Sequence, residues 1–140
     1  MTASALTSVS LDPILLLVCF SHDSATGQAV REAGRFGLSV LGEGDGDTAR
    51  ALAVHRGELA DQLADYDVRL GPSSVPLLAS AMAHAVCKVE RVVRGGDHDV
   101  VVGKVEWIES APGDARPLVY YDERFWALAP FVDERQPRPA

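Results

Sequence analysis

Several features that would assign a chain at a glance are missing here. There are two cysteines in 140 residues. Cys19 and Cys87 lie far apart, each inside an apolar run, with no Cys-x-x-Cys and no histidine pair nearby to suggest zinc. Both read as buried reduced thiols. No run of Lys or Arg occurs, and 13 basic against 20 acidic residues give a formal charge of -7. Non-specific nucleic-acid affinity comes from clustered cations that release counterions, so nucleic acid is not an expected partner. The longest apolar stretch, Ile14 to Phe20, falls far short of the roughly 20 residues that cross a bilayer, and no membrane partner is expected. Residues 1–10 lack the charged and apolar regions of a secretory signal, which points to the cytoplasm. Gly-x-Gly-x-x-Gly after a strand, a Walker loop and a Gly-x-Ser-x-Gly elbow are all absent, against Rossmann-type cofactor binding and hydrolase triads. His22, His55 and His84 form no i, i+3 or i, i+4 pair, so no metal is expected and they receive no role.

What remains is an ordinary globular composition, 47% apolar and 24% charged, in a chain of one-domain length. Ile14 to Phe20, bounded by Asp12-Pro13 and a Ser/Asp/Gly cluster, reads as a buried strand. Residues 27–33 suit a short helix with a hydroxyl N-cap before it and Gly34 beyond it. Phe36 to Leu41 reads as a second strand, ended by a turn over 42–47 that sustains neither ladder nor helix. Residues 48–64 carry Leu52, Leu59 and Leu63 on one helical face, divided at Gly57. Residues 65–76 read as loop or edge. Ala85 to Val93 and Asp99 to Ile108 form a hairpin through residues 94–98, and Leu118 to Tyr121 with Phe125 to Leu128 form another. About six short strands and two or three helices predict a mainly β, α+β fold, with the strands closed into a barrel. The domain is expected to span 1–129, followed by a frayed Pro-rich tail at 130–140.

Three places could carry chemistry. Thr2, Ser4, Thr7, Ser8 and Ser10 crowd hydroxyls before the first strand, either as a solvated tail or as donors to a polar ring or ribityl chain. Ser24-Ala25-Thr26-Gly27 sits at a helix start, where hydroxyls and free N–H groups either cap the helix or bind phosphate. Asp23 beside it would repel a phosphate, and the next cation is Arg31. Gly96-Asp97-His98 puts a histidine at a hairpin tip, as solvent-facing decoration or as a proton carrier.

The order of these features resembles one family. Residues 4–13 (SALTSVSLDP), 15–19 (LLLVC), Ser24-x-Thr26, 34–41 (GRFGLSVL), 87–90 (CKVE), Gly96-Asp97-His98, Gly103-x-Val105 and 117–121 (PLVYY) are similar to the short-chain flavin reductases, over roughly residues 2–128. The resemblance implies an FMN-binding split β-barrel with Greek-key topology, usually a homodimer. It implies hydride transfer from NADH or NADPH to FMN or FAD, with reduced flavin released to a partner monooxygenase. Two flat rings must then stack at near-attack distance while the protein supplies alignment. By the same resemblance Thr2, Ser4, Ala5, Ser8, Val9 and Ser10 lie along the isoalloxazine and ribityl chain. Ser24, Ala25 and Thr26 bind the phosphate, and His98 lies where the nicotinamide stacks.

The departures from the pattern are specific. Family members carry a strand before the position of Met1, so one barrel strand is expected to be lacking. Ser39 stands for the usual Asn and Asp45 for Gln. Ala25 replaces a possible cation, Ile14 a second proline, and Asp61-Gln62-Leu63 the usual basic-Phe pair. These departures leave a second expectation open, a split-barrel flavin-binding or scaffold subunit without flavin turnover.

Overall fold

The computed structural model describes residues 1–54, 62–111, 113 and 115–128. In chain order the elements are β1 (Leu6–Leu11), β2 (Ile14–Ser21), α1 (Ala25–Ala33), β3 (Arg35–Val40), α2 (Gly46–Ala53), β4 (Val68–Leu70), a 3-10 turn (Pro72–Ser74), β5 (Pro76–Leu78), β6 (Ala83–Gly95), β7 (His98–Ser110), β8 (Leu118–Tyr121) and β9 (Arg124–Ala127). The fold is mainly β, and the centre is an antiparallel five-stranded sheet in the order β1-β2-β7-β6-β3. β4-β5 and β8-β9 are separate two-stranded hairpins.

Alternation along β2 decides where the core lies, because successive side chains of a strand take opposite faces. Val18 and Phe20 point to one face and meet Val30 of α1, Phe36 of β3, Cys87 of β6 and Val101 of β7 in one buried cluster. Helix α1 lies against this face and ends at Gly34, whose φ of 63° is the left-handed conformation that a β-carbon disfavours. A smaller cluster of Val75, Leu77 and Val86, with Trp107 packed on it, seats the β4-β5 hairpin.

Cys87 is fully buried, and desolvation first, then the Glu106 carboxylate, pushes its thiol up to about 11 from 9.0. Its neutral form is favoured in the folded state. That contribution to stability is intact below pH 9 and is lost as pH rises towards 11, on the order of 2–3 kcal/mol for two pH units. Cys87→Ala should therefore show a shallower loss of stability than wild type between pH 9 and 11 in urea titrations. Equal slopes would remove the assignment.

Some expectations need correction. The strands do not close into a barrel: β1 and β3 are the edges of the sheet and do not pair with each other among the described residues. The barrel is split, its strands shared among three separate sheets. Leu6–Leu11, read as a hydroxyl-rich segment, is itself a strand paired with β2. Residues 65–76, read as loop or edge, hold β4 and lead into β5, which pair with each other as a separate hairpin. The turn over 42–47 bridges Gly42 to Pro117 and starts α2 at Gly46. The second half of the helix expected over 48–64, including its Gly57 break, and the Pro-rich tail fall largely outside the described residues. Among the described residues no helix is long and apolar enough to cross a membrane.

Candidate functional site

The turn between β2 and α1 is built by capping. Ser24 adopts an extended backbone and its Oγ accepts from the Gly27 N–H at 3.1 Å, while the Ser24 N–H donates to Ser21 O at 3.0 Å. Ser24 Oγ also lies 3.5 Å from the thioether of Met1, a weak acceptor, so its proton is available to a stronger one. The N–H groups of Ala25 and Thr26 open the helix and have no hydrogen-bond partner among the described residues. Helix α1 spans nine residues and has no acidic side chain in its first turn. Two open N–H groups, a hydroxyl proton, the Thr26 side chain and the positive end of the helix dipole suit a phosphate. A flavin phosphate fits the donors present.

The opening segment reaches the same turn. Met1 rests on Ser24, the Thr2 N–H donates to Leu52 O at 3.1 Å, and Ala5 O accepts from the Cys19 N–H at 3.1 Å. Thr2 is tied down further by its hydroxyl, which donates to Ala49 O at 2.6 Å. Its proton is thereby committed to α2, leaving only acceptor capacity for a ligand. Ser4, Ala5, Ser8 and Val9 are exposed and Ser10 is partly so.

From Ala5 the chain runs along β1 as the edge of the sheet. Ser8 opposes Leu16, whereas Ser10 opposes Leu15, because a bulge at Val9 shifts the register. Directly opposed residues share a face, so Ser8 and Ser10 lie on opposite faces of the strand. One ligand on a single face cannot take both hydroxyls.

His98 begins β7 opposite Ser21. It is therefore beside the Ser24 turn, and about 20 Å along β2 from Leu15 and Ser10. Its Nδ1 lies 2.8 Å from Asp97 Oδ1, and this hydrogen bond holds the Asp97 carboxyl below the usual carboxylate range. Asp97 fixes the ring, which leaves Nε2 as the free nitrogen. The structure thus brings Met1 to Ala5, Ser24 to Thr26 and His98 to one end of the sheet, with Ser8 to Ser10 extending away from it.

Two departures from the family pattern have local structural explanations. Ser39 Oγ accepts from the Leu78 N–H at 3.1 Å and pins β5 to β3, and Asp45 Oδ2 accepts from the Gly42 N–H at 2.8 Å and closes its turn.

Sequence reasoning missed His22 and Asp99. His22 faces Asp99 Oδ1 at 3.2 Å and Arg31 Nη1 donates to Asp99 Oδ2 at 2.8 Å. No local spacing links residues that far apart in the chain, so no sequence signal could have found the contact. His84, also given no role, is buried between Leu78 O at 2.7 Å and the Arg69 guanidinium at 3.1 Å. It borders a cleft with Arg69, Glu109 and Ser110 at the opposite end of β7 from His98. His55 is outside the described residues.

Comparison with known proteins bears on the whole arrangement. The family model described as flavin reductase like domain matches residues 1–129. An NADH-dependent FAD reductase of Streptomyces globisporus is 39% identical over 137 residues, covering 96% of this chain and 74% of the relative. The reductase component of a 4-nitrophenol 4-monooxygenase/4-nitrocatechol 2-monooxygenase from Rhodococcus opacus is 35% identical over 130 residues, covering 93% and 67%. A solved NADH:FAD oxidoreductase from Streptomyces globisporus superposes with a TM-score of 0.86 at 37% identity, over 93% of this chain and 78% of that one. With a family model spanning nearly its full length and these similarities in sequence and fold, the chain belongs to the flavin reductase like domain family.

Proposed function

We propose that this chain is an NADH-dependent flavin reductase that reduces FMN or FAD and passes the reduced flavin to a monooxygenase. The observation that carries the reading is the Ser24 turn, with its open N–H groups and hydroxyl, lying against the opening segment. Its support from similarity is that the related proteins are named as NADH-dependent flavin reductases and as a monooxygenase reductase component.

Flavin and nicotinamide supply the redox chemistry; the residues of the chain bind and align them. Ala25 and Thr26 donate backbone N–H groups to the phosphate, with the hydroxyls of Ser24 and Thr26 beside them. Ser4 and Ala5 line the path from that turn towards the edge strand, where Val9 and one of the two hydroxyls, Ser8 or Ser10 according to the face the ligand takes, meet the ribityl chain and ring. Thr2 holds this path against α2. His98, oriented by Asp97, meets the nicotinamide dinucleotide through Nε2. Ser39 and Asp45 have structural duties, so these two departures do not themselves argue for a subunit without turnover.

A homodimer belongs to the same proposal. β1 has an unpaired outer edge among the described residues, and Leu6, Val9, Leu11 and Ile14 are exposed along it and at the start of β2. Edges of this kind invite a second chain. A cytoplasmic location is proposed alongside, supported by two free cysteines.

The test is direct: mix the protein with FMN, follow quenching of flavin fluorescence, then add NADH and follow its consumption. Quenching with NADH turnover is expected, and absence of both would overturn the reading. His98→Ala should lower the turnover rate more than it weakens FMN binding. Equal losses in both would remove the histidine from the nicotinamide side.

A further inference from the structure

The Ser24 turn is short, and what fixes its direction lies outside it. At its entry the His22 N–H donates to Asp97 O at 3.1 Å, in the tip of the β6-β7 hairpin. The His22 ring turns to the same tip: its Nε2, closed off from solvent and without a hydrogen bond among the described residues, faces Asp99 Oδ1 at 3.2 Å. The second carboxylate oxygen of Asp99 accepts from Arg31 Nη1, in the last turn of α1, at 2.8 Å. Arg94, opposite Asp99 in the hairpin, brings its guanidinium to within 3.4 Å of His22 Nδ1. The Asp99 side chain is 14% exposed, so the contact is largely shielded from water.

One carboxylate thus packs against the ring of the residue that enters the turn and accepts a hydrogen bond from the far end of the helix that leaves it. The N–H groups of Ala25 and Thr26 point along α1. Any tilt of that helix against β2 moves both donors together, away from a common phosphate.

Resting on the reading of the Ser24 turn as the flavin-phosphate site, we propose that Asp99 is a positioning residue for phosphate recognition, acting through His22 and Arg31. It touches no ligand. It locks α1 to the start of β7 so that the donors of the turn converge. Arg31 does not serve the phosphate itself: it is seven residues beyond Ser24 along the helix, about 10 Å, and its charge is offset by Asp99.

The experiment compares FMN with riboflavin, which lacks the phosphate, by fluorescence titration on wild type and on Asp99→Asn. Wild type is expected to prefer FMN. The near-isosteric Asp99→Asn should lose about tenfold of that preference, roughly 1.4 kcal/mol, while its riboflavin affinity stays within twofold. Arg31→Gln, which cuts the same bond from its more exposed side, should do likewise and serves if Asp99→Asn does not fold. Arg31→Lys, which keeps a cation at Asp99, should retain most of the preference. An unchanged ratio in both Asp99→Asn and Arg31→Gln would overturn the proposal. So would an equal fall for both ligands, which marks a merely structural role, or tighter FMN binding, which would mean that Asp99 only masks Arg31. If wild type shows no preference for FMN, the phosphate reading of the turn fails first and the proposal with it.

Discussion

Thr26→Asp is expected to weaken FMN binding by about 100-fold or more while leaving riboflavin binding and the fold intact. Thr26 is in the first turn of α1, where an acidic side chain stabilises a helix by roughly 0.3–1 kcal/mol through the helix dipole. Stability should therefore hold or rise slightly. The same carboxylate would stand where the phosphate is to be held. Two unit charges about 4 Å apart near a protein surface repel by roughly 4 kcal/mol, and the phosphate carries more than one. Screening by salt reduces the figure without removing it. Fluorescence titration with FMN and riboflavin, beside a urea melt, measures each part. FMN binding that survives Thr26→Asp would take the phosphate away from this turn and leave helix capping as its whole purpose.

Gly103→Ala should cost about 3 kcal/mol of stability. Gly103 lies in β7 directly beneath the ring of Phe36, and a β-carbon there would come within 2.5 Å of Cζ and 2.6 Å of Cε1, and 3.0 Å from the Cys87 β-carbon. Both neighbours belong to the buried cluster that holds β3, β6 and β7 together. The ring is itself buried in that cluster, and overpacking a filled core typically costs about 1–3 kcal/mol. Phe36→Leu removes the clashing atoms, so Gly103→Ala should cost much less in that background than in wild type. A coupling energy of about 1–2 kcal/mol in the double-mutant cycle is expected, within the range found for residues in contact. Additive effects would mean that the ring does not lie over the glycine.

Much of the fold was legible in the sequence where periodicity and turn chemistry act locally. β2, α1 with its Ser24 cap and Gly34 stop, the β6-β7 hairpin and the β8-β9 hairpin all follow from runs of a few residues and their bounding turns. β1 was not, because Thr7, Ser8 and Ser10 interrupt its apolar pattern, and pairing with β2 makes it a strand. β4 and β5 are three residues each, too short to show a period. In the site, Ser24 to Thr26 could be found because capping is local. The spent hydroxyl of Thr2 and the Asp99 contacts depend on chain segments that meet only after folding. The placement of Ser8 and Ser10 on opposite faces escaped for the same reason, since a bulge is defined by the partner strand.

That bulge makes the length of β1 as consequential as its composition. Deleting Val9 would leave one residue opposite one across the whole pair, and strict alternation would then keep Ser8 and its new neighbour Ser10 facing opposite ways with Leu16 and Leu15. The strand would lose its bend and its extra twist, not its facing pattern. The extra valine therefore serves to steer the rim of the sheet, and a one-residue shortening there alters the path a bound molecule must follow without changing a single hydroxyl.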